Sequence, residues 1–224
     1  MLKIAHRGAS GLEPENTLPA FRKAIQLGTD MIELDVRQCG SGELVVTHNA
    51  TLLRTFGAPG RVKDKKLSEL KKLSEKTGKR ILTLEEVLKE IQGRTGLDIE
   101  LKERETAHEA LAIIRKSLKN GWSWNNFLIS SFHHQELAAA RRNSTQVQIG
   151  ILYAAWPLGY QSFAKKIRAK AIIIHHLFLN KSLIKEAQKQ GLQAYAWTVN
   201  SPKEIAKFKN WGIDGIISNY PERL

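Results

Sequence analysis

Three acidic side chains are spaced so that they could act together. Glu33 and Asp35 lie two apart in the apolar run Met31 to Val36, and Glu100 stands two before Lys102 in the run Gly96 to Lys102. Residues i and i+2 of a strand face the same side, so each pair projects together. Carboxylates gathered at one point repel one another unless something positive neutralises them. Local Lys or Arg side chains could do so. A divalent cation with oxygen ligands does it more directly, and Mg²⁺ or Ca²⁺ suits such ligands. No thiolate set exists and no His stands at a zinc-like spacing from the carboxylates, which disfavours zinc. His6 closes the run Leu2 to His6, and His48 follows Val45-Val46. A single His at a strand end is usually a hydrogen-bonded structural residue. Two beside an acidic cluster suit general acid–base work, because imidazole titrates near neutrality. Arg7 and Lys102 add fixed positive charge of the kind that holds a phosphate.

These residues need elements that bring them to one place. Eight short runs rich in Ile, Leu and Val recur along the chain: Leu2 to His6, Met31 to Val36, Gly96 to Lys102, Phe127 to Ser131, Gln148 to Leu152, Ala171 to Ile174, Gln193 to Thr198 and Gly215 to Ser218. They lack a clean apolar–polar alternation, as strands buried on both faces should. Amphipathic stretches separate most of them, and that rhythm predicts βα units in a parallel sheet. Thr83-Leu84-Glu85-Glu86 is a capping box, and Ser201-Pro202 sets a cap before proline at a first helical position. Eight strands with alternating helices predict a closed (β/α)8 TIM barrel of the α/β class. Active residues of such barrels sit at the C-terminal strand ends, where His6, Glu33, Asp35, Glu100 and Lys102 fall.

Two features break the repeat. A short insertion, roughly residues 38 to 80, follows the second strand. It holds a probable short strand, Leu44 to Thr47, and then a basic stretch. The chain also stops six residues after the eighth strand, which predicts no full eighth helix. One domain over residues 1–224 is expected.

The formal charge is 35 − 22 = +13, and residues 61 to 80 alone hold nine basic and three acidic side chains. Such a surface attracts anions. This stretch lacks the aromatics that single-strand nucleic-acid grooves carry, so a solvated excursion is expected, with Leu67, Leu70 and Leu73 packed inward at helical spacing. The lone Cys39 has no His beside it in sequence, and no redox or catalytic role is expected. No leader of a charged segment followed by a long apolar one is visible, and apolar runs are too short to span a bilayer. A cytoplasmic protein is expected, without nucleic acid or stable membrane association; nothing in the sequence assigns an oligomeric state.

The ordered motifs His6-Arg7-Gly8-Ala9-Ser10, Glu13-Pro14-Glu15-Asn16-Thr17, Glu33-Leu34-Asp35-Val36, Val46-Thr47-His48 and Ile99-Glu100-Leu101-Lys102 resemble the glycerophosphodiester phosphodiesterase family. Ser130-Ser131-Phe132, Ala196-Trp197-Thr198-Val199-Asn200 and Gly212-Ile213-Asp214-Gly215-Ile216-Ile217 echo its later blocks, so the resemblance spans almost the whole chain. It implies Glu33, Asp35 and Glu100 as ligands of one Mg²⁺ or Ca²⁺, with Mn²⁺ a third option. It implies His6 and His48 as the acid–base pair, and Arg7 and Lys102 as phosphate holders. Phe132 and Trp197 would wall the glycerol half of a small glycerophosphodiester. Asn49 and Asn219 stand where that family commonly has Asp. The insertion is short, so a strict demand for glycerol phosphate with tolerance for the head group is expected.

Two other functions fit less of the pattern. A lysophospholipase D-like enzyme would need an apolar groove, for which Trp122, Trp124, Trp156, Phe163 and Phe178 are candidates. A non-catalytic anion-binding barrel would use the basic stretch on nucleic acid or membrane.

Overall fold

The structure is a computed structural model that describes residues 1–78 and 80–224. Its order is β1 (Leu2–His6), α1 (Leu18–Gln26), β2 (Met31–Gln38), β3 (Leu44–Val46), α2 (Leu52–Phe56), α3 (Leu67–Thr77), β4 (Leu82–Thr83), α4 (Leu84–Ile91), β5 (Gly96–Leu101), α5 (Ala107–Leu118), β6 (Phe127–Ser131), α6 (His134–Asn143), β7 (Gln148–Tyr153), α7 (Tyr160–Lys166), β8 (Ala171–His175), α8 (Lys181–Lys189), β9 (Gln193–Trp197), α9 (Pro202–Asn210) and β10 (Gly215–Ser218). Strands β1, β2, β5, β6, β7, β8, β9 and β10 are parallel neighbours in that order, and β1 pairs with both β2 and β10, which closes the barrel. All eight sequence-predicted strands are present. After β10 the chain forms only one 3₁₀ turn, Pro221–Arg223, in place of an eighth helix.

Strand alternation divides the apolar side chains into two sets. Ile4, Leu128, Leu152, Ile173, Tyr195 and Ile217 point inward and fill the barrel. Their neighbours, such as Leu34, Ile99, Ile151 and Ile216, point outward against the helices. Glycine makes the interior possible: a Cβ on Gly215 would come within 2.6 Å of the Tyr195 ring. Thr83 and Glu86 exchange their hydrogen bonds as the capping box predicted, and Thr17 accepts from the Ala20 amide. Pro202 opens α9 as expected, but the Ser201 side chain makes no cap hydrogen bond.

The insertion is a built structure. Strand β3 returns antiparallel along β2 and pairs with β4. Val45, Leu52, Phe56, Val62, Leu70 and Ile81 form a separate apolar cluster beneath it. Leu70 is fully buried there, and Leu67 and Leu73 pack half-buried beside it, as their spacing predicted. Lys71 is not simply solvated: its Nζ donates to the Ile81 carbonyl at 3.0 Å and to Glu86 at 2.7 Å, tying α3 to α4. Lys79, at the end of the basic stretch, lies outside the described residues.

A buried carboxylate sets the loop after β5. Glu136, in the first turn of α6, accepts from the backbone N–H groups of Glu105 at 2.9 Å and of Thr106 and Ala107, both at 3.0 Å. Those are unsatisfied donors at the start of α5, where negative charge is also favoured. Glu136→Ala is expected to lower unfolding stability by roughly 2–3 kcal/mol, the scale of hydrogen bonds to a charged group. Urea titration of variant and parent checks this, and an unchanged midpoint would refute it.

Candidate active site

The predicted residues meet at the C-terminal end of the barrel. A cleft of about 90 Å³ is lined by His6, Arg7, Glu33, His48, Glu100, Lys102, Phe132 and Trp197, among others. Barrel register brings the acids together. β2 and β5 run side by side with Glu33 opposite Asp98 and Asp35 opposite Glu100. Glu33, Asp35 and Glu100 are buried, and each offers an oxygen within 4.8 Å of the others. No other group of three or more such ligands occurs among the described residues.

The positive groups come from strand ends. Arg7 follows β1 with a left-handed backbone, φ 55°, and Gly8 follows at φ 82°. That conformation costs a non-glycine residue roughly 1–2 kcal/mol. It aims the Arg7 amide at Glu33 Oε2, 2.8 Å away, and brings Nε to 3.1 Å from Asp35 Oδ2. Gly8 tolerates no larger residue, since a Cβ there would sit 2.7 Å from the Ala20 backbone. Lys102 Nζ lies 2.7 Å from Glu100 and 3.4 Å from Asp35. The alternative raised by the sequence, carboxylates paired to local cations, is therefore partly realised.

It does not satisfy the cluster. Glu33 Oε1 and Asp35 Oδ1 are buried without a hydrogen bond. Burial, and next the Asp35 charge, push the Glu33 carboxyl well above its ordinary range. The same two causes raise Glu100 to about 7. Burial also pushes Asp35 up, but Arg7 and Lys102, with the Asn16 amide at 2.9 Å, more than offset it and leave it below its ordinary value. Two elevated carboxyls beside unpartnered oxygens mark a place that lacks positive charge. An oxygen-liganded divalent ion fits it.

The two imidazoles flank this cluster in different settings. His6 Nδ1 lies 2.6 Å from Asn219 Oδ1, which as an amide oxygen accepts, so Nδ1 carries the proton and Nε2 is free. Nε2 stands 3.9 Å from Glu33 Oε2. Burial and then Arg7 lower the His6 pKa to about 4. His48 is carried to the cleft by the β2–β3 hairpin. Its Nδ1 lies 3.3 Å from Asn49 Oδ1, and its carbonyl accepts from Arg37 Nε at 2.9 Å. Burial lowers its pKa too. Phe132 and Trp197 meet edge to face at 5.4 Å, with Lys102 Nζ 5.9 Å from the Phe132 ring centre.

Sequence reasoning missed two participants. Asp98 is wholly enclosed at the cleft floor, with both oxygens unpartnered and its pKa raised by burial to about 7. The i+2 rule that linked Glu100 to Lys102 also reaches back to Asp98. Asn16, left-handed at φ 58°, holds Asp35 from the loop after β1, and no spacing rule points to it. The proposed apolar groove divides. Trp122 and Trp124 precede β6, at the opposite end of the barrel, and Phe163 packs against the core and stacks on His134. Only Trp156 and Phe178 lie exposed near the mouth.

A parallel barrel that gathers acids, imidazoles and cations at its C-terminal mouth has the architecture of a barrel enzyme. The comparison with known proteins specifies it: residues 6–223 match the model of the glycerophosphoryl diester phosphodiesterase family, and the chain belongs to that family. A glycerophosphodiester phosphodiesterase of Caldanaerobacter subterraneus is 36% identical over 234 residues, covering 100% of this chain and 96% of its own. A phosphodiesterase of Oleispira antarctica, solved with its product sn-glycerol-3-phosphate, superposes with a TM-score of 0.88 at 31% identity over 98% of this chain and 93% of its own. A lysophospholipase D of Rattus norvegicus is 25% identical, covering 99% of this chain and 84% of its own.

The elevated carboxyls have a consequence for stability. A carboxyl whose folded pKa exceeds its unfolded value binds its proton more tightly in the fold. Its contribution is present at low pH and is lost as pH rises through that interval, from 4.5 to about 7 for Glu100. Metal-stripped protein is therefore expected to melt at a lower temperature at pH 8 than at pH 5.5. Millimolar Mg²⁺ or Ca²⁺ should restore it at pH 8, and less so in Glu33→Gln. Melting temperatures indifferent to both pH and cation would contradict this account.

Proposed function

We propose that this chain hydrolyses glycerophosphodiesters to glycerol 3-phosphate and an alcohol, with one divalent cation held by Glu33, Asp35 and Glu100. The observation that carries the proposal is the unmet negative charge of that buried triad, set between two imidazoles and two cations in a chain of this family. A cation bound there supplies positive charge against the charge that develops on the phosphoryl oxygens.

The protein's own groups divide the proton transfers. His6, neutral and held by Asn219 with Nε2 free, accepts the proton of the nucleophile, either water or the neighbouring glycerol hydroxyl. His48 is half-buried, burial lowers its pKa, and it stands on the hairpin side. An anionic diester beside it favours its protonated form, and it donates to the leaving alcohol. Arg7 and Lys102 hold the phosphoryl oxygens, and Phe132 with Trp197 walls the glycerol carbons.

A second reading has one supporting observation. Trp156, Leu158, Leu177 and Phe178 are exposed on the loops after β7 and β8, at the catalytic end. An exposed apolar group there suits an acyl chain, as a lysophospholipase D would require. Comparing lysophosphatidylcholine with glycerophosphocholine separates the two. The non-catalytic reading fails if any metal-dependent turnover is seen.

Glu33→Gln and Asp35→Asn are expected to abolish turnover without loss of fold, and His6→Ala and His48→Ala to lose at least about 100-fold in kcat. The assay is product release from glycerophosphodiesters with Mg²⁺, Ca²⁺ or Mn²⁺ in turn, beside bis-(p-nitrophenyl) phosphate, which lacks glycerol and should react poorly. Full activity in EDTA would sink the metal assignment.

Asn219→Asp gives a pH test. A carboxylate on Nδ1 stabilises the His6 imidazolium and raises its pKa by about one unit. A base must be neutral to act, so the acidic limb of kcat/KM against pH is expected to move upward. A limb that stays put would assign the base elsewhere.

A further inference from the structure

Beside the catalytic cleft lies an open groove of about 770 Å³, bounded by Arg37, Arg61, Lys63, Arg104, His133 and the same Lys102 that borders the cleft. Its one carboxylate, Glu103, is already bound by Arg37 Nη1 at 2.8 Å. The side chains of Arg61, Lys63 and Arg104 have no hydrogen-bond or ion-pair partner among the described residues. Like charges left together without counter-charge repel one another, so such a cluster is a feature to be explained.

The groove is also held in place. Arg61 bridges to Thr51, and the Val62 amide donates to the Ala50 carbonyl at 2.9 Å. The Gly40 amide donates to Lys65 at 2.7 Å, which fastens the segment carrying Lys63 to the β2–β3 hairpin. Arg104 rides on the loop that Glu136 secures. The groove meets the site at two points, through Lys102 and through Arg37, whose Nε donates to the carbonyl of His48. With His48 as the proposed donor to the leaving alcohol, the tie from Arg37 to the His48 carbonyl puts the Arg37 end of the groove on the leaving side.

We propose that this groove binds the leaving half of the substrate and selects alcohols that themselves carry a phosphate group. The inference rests on the diesterase reading for its substrate and on His48 as proton donor for its place on the leaving side. A cationic head group such as choline finds no complement: the lining has no free carboxylate and no Phe, Tyr or Trp to take a quaternary ammonium. An added phosphate meets three unpaired cations, of which arginine matches phosphate geometry best. The tolerance expected from the shortness of the insertion is thereby narrowed. The insertion is short, but it contributes Arg61 and Lys63 to this wall.

Three diesters of glycerol 3-phosphate test the proposal, with choline, with glycerol, and with glycerol bearing a terminal phosphate as the alcohol. At low ionic strength kcat/KM for the phosphorylated head group is expected to exceed that for choline by at least about ten-fold. The margin should shrink as salt rises, because an open groove is screened over about 8 Å at 0.15 M. In R61Q/K63Q/R104Q the ratio of the two kcat/KM values should fall about ten-fold, and R104K should retain most of it. The same comparison is made without turnover, by calorimetric titration of wild type and triple variant with phosphonate isosteres whose scissile oxygen is CH₂. A ten-fold loss of affinity confined to the phosphorylated isostere supports the groove even if no diester is hydrolysed, in which case the catalytic reading alone fails. Equal wild-type affinities for the choline and phosphorylated isosteres overturn the proposal. So does tight binding of a DNA oligonucleotide that the triple variant loses while isostere affinities stay equal, which would assign the groove to a nucleic-acid backbone.

Discussion

The enclosure of negative charge at the barrel mouth is the constraint on which the rest of the structure depends. Three carboxylates are taken out of water within 4.8 Å of one another, and a fourth, Asp98, is enclosed beneath them. Uncompensated burial of this kind is costly, because the interior replaces neither the hydration nor the counter-charge that water and salt provide. Arg7 and Lys102 supply two positive charges, and the amides of Arg7 and Asn16 supply dipoles. The balance remains negative, which is why Glu33 and Glu100 are driven toward protonation. A divalent cation, as proposed, would relieve that state most fully.

Holding such a cluster demands rigidity around it. Parallel strands buried on both faces provide it, since a slip of one residue would turn Glu33 and Asp35 outward into the helix layer. The loops that bear the cations are equally restrained. Arg7 is kept in a left-handed conformation by packing at Gly8, where the loop meets α1, and the turn after β5 is held by the three amides on Glu136. The strained backbone lies at the site and the well-capped backbone supports it, a division expected where a fold must preorganise charge.

Around this centre the mouth is asymmetric. Exposed apolar side chains after β7 and β8 lie on one sector, and unpaired cations from the insertion and the β5–α5 loop lie on another. On the proposed reading, the triad and imidazoles carry the chemistry at the phosphorus. The two sectors, which would act on what is attached to it, arise from loops and not from the barrel itself.

Much of this was legible in residue order. Strands are short apolar runs whose periodicity reports burial directly, so all eight could be placed. The i+2 rule is a property of one strand, and it linked Glu33 with Asp35 and Glu100 with Lys102. The motifs supplied His6 and His48. What sequence alone left open was every relation that crosses between segments distant in the chain. Asn16 on Asp35, Asn219 on His6 and Glu136 on the amides of residues 105–107 are contacts between distant loops, and no periodicity encodes them. The basic stretch shows the same limit: composition marked it as charged. Only packing decided that Lys71 would bind Glu86, while Arg61 and Lys63 would line the groove beside the cleft with no partner among the described residues. Local propensity is written residue by residue. Electrostatic state depends on which side chains the closed barrel and its hairpin bring together, and that is settled only when the chain has folded.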